Sequence, residues 1–302
     1  LFTKRKRFST TKNFSLHNMI KGITLALHKQ LCFCVLMLIM LSLFHSSNGA
    51  TYDPELVPWL MPYAAATYCP EEQVKNLTCA SCKILSSRDD FVVTNYVEQE
   101  VYGHYISGFV GIAQKQKAII VTYEGTNSSV AQLWKEATHK GRILYDRYTG
   151  NPQIYFVQYF YKAFLQLNMT QHIIELNIKY KDYPVYFVGH SLGGALTTIA
   201  TIDYLLSKKK DLNNPPFLYT FGSPRVGNYV VANALLFENN VTHFRHVNQG
   251  DIVPHVPYCD GGVFDATCQM TAKGPFHSGT EIWFTSDDKY IICDKFPIGE
   301  DP

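Results

Sequence analysis

The sequence predicts an α/β fold built on one mostly parallel central sheet with helices on both faces. Two observations carry that expectation. Strand-like runs rich in aromatic and β-branched residues, at 117–123, 184–188, 217–221 and 242–247, alternate with helix-like runs at 153–179, 195–206 and 229–238. The chain of 302 residues is also 46% hydrophobic and 14% aromatic, enough for one large core.

Between the strand at 184–188 and the helix at 195–206 lies Gly189-His190-Ser191-Leu192-Gly193-Gly194. A strand that turns at once into a helix crowds its backbone against both elements. Glycines two before and two after the central serine remove the Cβ atoms that clash. Ser191 is left at the tip, at a helix N-terminus whose free N–H groups favour developing negative charge. Serine also suits an ordinary helix start. The strand–turn–helix context on both sides favours a nucleophile.

Residues 1–49 differ in kind from the rest. Basic residues from Lys4 to Lys29 precede the apolar run Leu31–Phe44, which ends in Ser46-Ser47-Asn48-Gly49-Ala50. That run is short for a membrane span and its end offers small residues for cleavage, the pattern of a signal peptide with a mature start near Ala50. A retained signal anchor is the lesser alternative. Residues 50–302 are then a single secreted domain. The leader holds seven of the 27 Lys and Arg and none of the 25 acids, so the remainder is acidic on balance and lacks the basic footprint of a nucleic-acid binder. Six cysteines lie beyond it: Cys69, Cys79, Cys82, Cys259, Cys268 and Cys293. An even number suits three disulfides in a secreted chain without fixing their pairing. Cys79 and Cys82 have metal or redox spacing, but no second pair accompanies them, so no metal is expected. Asn76, Asn168 and Asn240 open glycosylation sequons.

In chain order, Asp53-Pro54-Glu55 opens a helix running through Trp59 and Ala64 toward Tyr68. Residues 69–90 read as a stapled polar loop. The runs 102–114 and 117–123 read as a hairpin turning at Gln114–Lys117. The second run ends in Glu124-Gly125-Thr126-Asn127, which sets a backbone N–H and a hydroxyl at the sheet's carboxyl edge, where ligands collect. Ser128–Ala137 carries Val130, Leu133 and Trp134 at short helical spacing, an amphipathic lid over about 127–138 or a helix fixed on the core. One long helix is expected from Gln153 to Lys179. Lys208-Lys209-Lys210 suits a solvated helix C-terminus. Strands at 281–284 and 289–293 close the chain.

A serine hydroxyl is a poor nucleophile near neutral pH. It needs an imidazole to take its proton and a carboxylate to fix that imidazole's tautomer. In α/β-hydrolases the three follow in the order Ser, Asp, His. Ser191, Asp251 and His277 satisfy that order, with Asp251 held just past a strand and ahead of Pro254. His255, pinned between Pro254 and Pro257, reads as structural, as do His190, His243 and His246. Asp260 and Asp265 lie in a Gly-rich loop between Cys259 and Cys268. The N–H groups of Leu192 and Thr126 are the expected oxyanion hole.

The set Tyr123-Glu124-Gly125-Thr126-Asn127, Gly189–Ala195, Thr220–Asn228, Asp251–His255 and His277–Trp283 resembles, in content and order, the class 3 lipases, secreted fungal-type triacylglycerol lipases of the α/β-hydrolase superfamily. Coverage runs from about residue 52 to 293. The resemblance implies the α/β-hydrolase fold with a short helical lid after Thr126. It implies Ser191, Asp251 and His277 as triad and Thr126 and Leu192 as oxyanion hole. The implied disulfides are Cys69–Cys293, Cys79–Cys82 and Cys259–Cys268. Two positions depart from the family. Glu124 stands where the family usually has Arg, and Asn127-Ser128-Ser129 makes the lid hinge a sequon, expected to be unoccupied.

The expected protein is a secreted serine hydrolase cleaving carboxylic esters of acylglycerols through an acyl-serine intermediate, with no cofactor and no obligate protein partner. It acts at an oil–water interface, with peripheral membrane contact. The same triad serves a phospholipase A1 or a soluble-ester carboxylesterase, including a feruloyl esterase. Trp134 and Leu133 lean toward lipid, while Gln132, Lys135 and Glu136 do not. A non-catalytic lipid-binding descendant predicts damage at a catalytic position, and none is seen.

Overall fold

The computed structural model describes residues 51–126, 141–144, 154–207, 215–233, 240–258 and 274–293. The leader, the segment 127–138 with Val130, Leu133 and Trp134, Lys208–Lys210, Asp260 and Asp265, and both Cys259 and Cys268 lie outside the described residues.

Ten strands are described: β1 (Phe91–Val101), β2 (His104–Ala113), β3 (Ala118–Tyr123), β4 (Arg142–Leu144), β5 (Tyr155–Val157), β6 (Val185–His190), β7 (Phe217–Phe221), β8 (Thr242–Asn248), β9 (Thr280–Ser286) and β10 (Lys289–Cys293). Eight of them form one sheet in the order β1-β2-β3-β6-β7-β8-β9-β10. The steps from β3 to β9 are parallel, and the meander β1–β3 and the hairpin β9–β10 add antiparallel edges. Both faces of the sheet are covered, which explains why its central strands are buried throughout and show no polar alternation.

Strand periodicity divides the side chains between two cores. Ile119, Val121, Tyr123, Phe187 and Leu218 pack with Phe160 and Phe164 of α4 (Gln158–Leu167) and with Leu196 and Ile199 of α6 (Leu192–Ser207). Ala118, Ile120, Val188 and Tyr219 face Leu60 and Tyr63 of α1 (Leu56–Ala66), with Leu85 of α3 (Ala80–Asp89) in the same cluster.

Two expectations need correction, and one strand was not expected. The long helix from Gln153 is instead the strand β5, then α4, then a break at Asn168-Met169, then α5 (Thr170–Lys179). The break lets Thr170 donate its hydroxyl to buried Asp203 on α6 at 2.5 Å. The polar stretch 69–90 is not a loop, since it holds α2 (Glu71–Lys75) and α3. Cys79 caps α3 by accepting the Cys82 N–H on its sulfur, and the Cys79–Cys82 disulfide joins the two. β1 carries no clean alternation, since Val93–Val97 are all half-buried, Glu98–Glu100 are exposed in a row and a bulge falls between Val93 and Asn95, so hydrophobic pattern does not announce it. A seventh helix, α7 (Tyr229–Asn233), follows β7. No helix among the described residues is long and apolar enough to cross a membrane. Asn76, Asn168 and Asn240 are all exposed.

Phe187 is fully buried at the centre of the sheet. Phe187→Ala is expected to cost about 3–5 kcal/mol in urea unfolding, through lost transfer and an unfilled cavity.

Candidate active site

β6 ends at His190 and α6 begins at Leu192, so Ser191 alone makes the turn. Its φ is +56°, the left-handed region that non-glycine residues avoid. Two hydrogen bonds hold it there: Ser191 N–H donates to the Phe221 carbonyl at 2.9 Å, and Gly194 N–H to the Ser191 carbonyl at 2.9 Å. A Cβ on Gly189 would run into the Gly193 carbonyl, and one on Gly193 into the Tyr123 carbonyl. Leu192 opens the helix, so its N–H has no intrahelical acceptor and stands beside the Ser191 hydroxyl's carrier.

Two further loops meet this turn at the carboxyl edge of the sheet. β3 runs out into Glu124-Gly125-Thr126. There is no room for a Cβ on Gly125, which is closed in by the Tyr68 hydroxyl and the His190 carbonyl. Thr126 has a buried hydroxyl with no hydrogen-bond partner among the described residues. Tyr68, just past α1, bonds His190 Nδ1 through its hydroxyl at 2.7 Å. Past β8 comes Asp251. Its Oδ1 accepts the Val253 N–H at 3.0 Å, and its Oδ2 lies 2.6 Å from where a Cβ on Gly222 would be. Gly222 directly follows the residue that bonds Ser191, so nucleophile and acid share one neighbour.

His277 is not brought to them. Ser191 and Asp251 lie past the carboxyl ends of β6 and β8, whereas His277 enters β9 from its amino end, where Thr280 pairs with Phe244. Its buried Nε2–H donates to the Pro254 carbonyl at 2.7 Å. Neither the Ser191 hydroxyl nor the Asp251 carboxylate hydrogen-bonds to it. It lines a small cavity with Thr198, Ser223, His243 and Arg245. Burial pushes its pKa well below the usual imidazole range, and Arg245 and Arg225 push further. An imidazole beside two guanidiniums resists the positive charge a general base must take on. The Ser–Asp–His order along the chain is met, but among the described residues His277 is bonded to the Pro254 carbonyl and to neither partner.

His243 and His246 are buried structural groups as expected, bonded to Ser278 and to the Thr220 carbonyl. No disulfide joins Cys69 to Cys293 among the described residues, so the pairing implied between them is not made there. Cys69 lies beside Cys79 and Cys82, in the layer that packs α3 on β1, while Cys293 ends β10 at the opposite edge of the sheet. Tyr68 and Gly222 escaped the sequence analysis, the one hidden beside Cys69 and the other inside Gly222-Ser223-Pro224.

A strained serine between a parallel strand and a helix, with an acid past the next strand but one, defines an α/β-hydrolase. The comparisons agree and are more specific. The Lipase (class 3) family model matches residues 120–261 of the chain. A Caenorhabditis elegans lipase is 28% identical over 272 residues, covering 85% of this chain and 69% of its own length. The Rhizomucor miehei lipase is 36% identical over 128 residues, which span 42% of this chain and 32% of that protein. Among solved structures, lipase II from Rhizopus niveus superposes with a TM-score of 0.65 at 24% identity, over 81% of this chain and 86% of that one.

His243, His246 and His277 are all buried, and burial holds all three neutral, His246 down to about 4. Unfolded, each regains a pKa of about 6.5, so the stability gained is complete above that pH and is lost as pH falls below it. Urea unfolding at pH 5.5 against 7.5 is expected to show a loss of about 1 kcal/mol for each of them. His277→Gln is expected to lower stability by about 1–3 kcal/mol, while turnover by the folded enzyme stays within about tenfold of wild type. A thousandfold loss of turnover with stability unchanged would return His277 to the role of base.

Proposed function

We propose that the protein is a secreted lipase that hydrolyses acylglycerol esters, with Ser191 as nucleophile and Asp251 as the carboxylate that orients its base. The observation that carries this is Ser191 at positive φ on the N-terminus of α6, with Asp251 packed over the adjoining Gly222. Attack of the Ser191 oxygen on the ester carbonyl forms a tetrahedral oxyanion beside the Leu192 and Thr126 N–H groups. Its collapse expels the alcohol and leaves an acyl-serine, which water then cleaves. Among the described residues no histidine hydrogen-bonds Ser191 or Asp251. Lipid as substrate is supported by the likeness to the Caenorhabditis elegans and Rhizomucor miehei lipases. The lid over about 127–138 with Val130, Leu133 and Trp134, and the secretory leader at 1–49, belong to the same proposal.

The test compares a triacylglycerol emulsion with a water-soluble short-chain ester across their solubility limits. Wild type is expected to accelerate once an interface forms. Ser191→Ala is expected to lose turnover by a factor on the order of 10³ or more, and Asp251→Asn by a similar factor, with folding intact. Saturation on the soluble ester with no interfacial jump points instead to a soluble-ester esterase, and turnover that survives Ser191→Ala refutes both.

A further inference from the structure

Glu124 stands where the resemblance to class 3 lipases implies an arginine, and it occupies the last residue before the proposed oxyanion loop. The β2–β3 ladder pairs Gly108 with Tyr123, so one step further Ser107 faces Glu124. In an antiparallel ladder such a pair exchanges two backbone bonds. Only one is made: Glu124 N–H donates to the Ser107 carbonyl at 2.8 Å. The Ser107 N–H donates instead to the Glu124 carboxylate, Oε2, at 3.1 Å, and the Ser107 hydroxyl lies 2.9 Å from the same oxygen.

We propose that Glu124 is a positioning residue for the oxyanion loop: its carboxylate takes the Ser107 N–H in place of its own carbonyl, ends the ladder there, and lets the chain leave β2 toward Ser191. An arginine cannot do this, because a guanidinium accepts no hydrogen bond. The Ser107 hydroxyl also approaches the Thr67 carbonyl at 3.2 Å, which ties the same point to the end of α1. The next residue along, Tyr68, closes against Gly125 and bonds His190. The loop is therefore held from β2 on one side and from α1 on the other. Burial raises the Glu124 pKa, and Glu98 on β1 adds to this. The two Ser107 donors oppose the rise by favouring the ionised form that the clamp uses.

The proposal rests on the hydrolase function above and is tested in the full-length protein with E124A, E124R and E124Q. On a soluble ester, E124A and E124R are expected to lose about 10- to 100-fold in kcat, with KM within about twofold, as for a displaced oxyanion donor. E124Q keeps an acceptor and is expected to recover kcat to within about threefold of wild type. Amide hydrogen exchange supplies a readout independent of turnover: the Ser107 amide is expected to exchange at least about tenfold faster in E124A and to be protected again in E124Q. Wild-type kcat in E124A, an E124Q as impaired as E124A, or unchanged Ser107 exchange overturns the role of Glu124. Absence of any Ser191-dependent turnover, with the exchange pattern as expected, overturns the hydrolase function and leaves the clamp standing.

Discussion

The carboxyl edge of the sheet depends on one close approach, that of α6 to the ends of β3 and β6. With Gly189 facing the Gly193 carbonyl and Gly193 facing the Tyr123 carbonyl, the helix begins where any side chain would hold it off. That contact leaves Ser191 no room to make its turn except at positive φ. The strain, on the order of 1–2 kcal/mol for such a residue, is held by the Phe221 and Gly194 bonds and by the two cores that fix the strands and helix. Nucleophile exposure is thus a result of packing, and the packing extends through most of the buried residues of the domain.

Much of this was legible in the sequence because it is local. The elbow from Val185 to Ser207 needs only strand pattern, glycine spacing and a helix start, and β7, β8, β9 and β10 fall within two residues of their expected ends. β1 was not legible, since its middle residues are half-buried, four of its eleven are exposed, and it is placed by pairing with β2. The break at Asn168 was not legible either, because the apolar spacing of Tyr159–Leu167 and Ile173–Ile178 continues across it. What separates α4 from α5 is a tertiary contact, Thr170 with Asp203.

The site was legible in part. Ser191 and Asp251 follow strands, and residues that follow parallel strands arrive at the carboxyl edge together. His277 precedes β9, and although its Nε2–H reaches the Pro254 carbonyl three residues past Asp251, it is buried near Arg225, Arg245 and His243. Tyr68 comes from a segment more than a hundred residues before the elbow, and no local pattern marks it. Glu124 was visible as an unusual residue, but its use requires knowing that Ser107 lies opposite.

Gly222 combines two constraints that differ in origin. Its backbone lies at φ +53°, and the space where a side chain would begin is taken by the Asp251 carboxylate. The first constraint admits, at a cost, a few other residues such as asparagine. The second admits none while Asp251 stays in place. Residues 222 and 251, 29 positions apart, are therefore bound in descent. A lineage that abandons the acid becomes free to change the glycine, and one that keeps the acid keeps both.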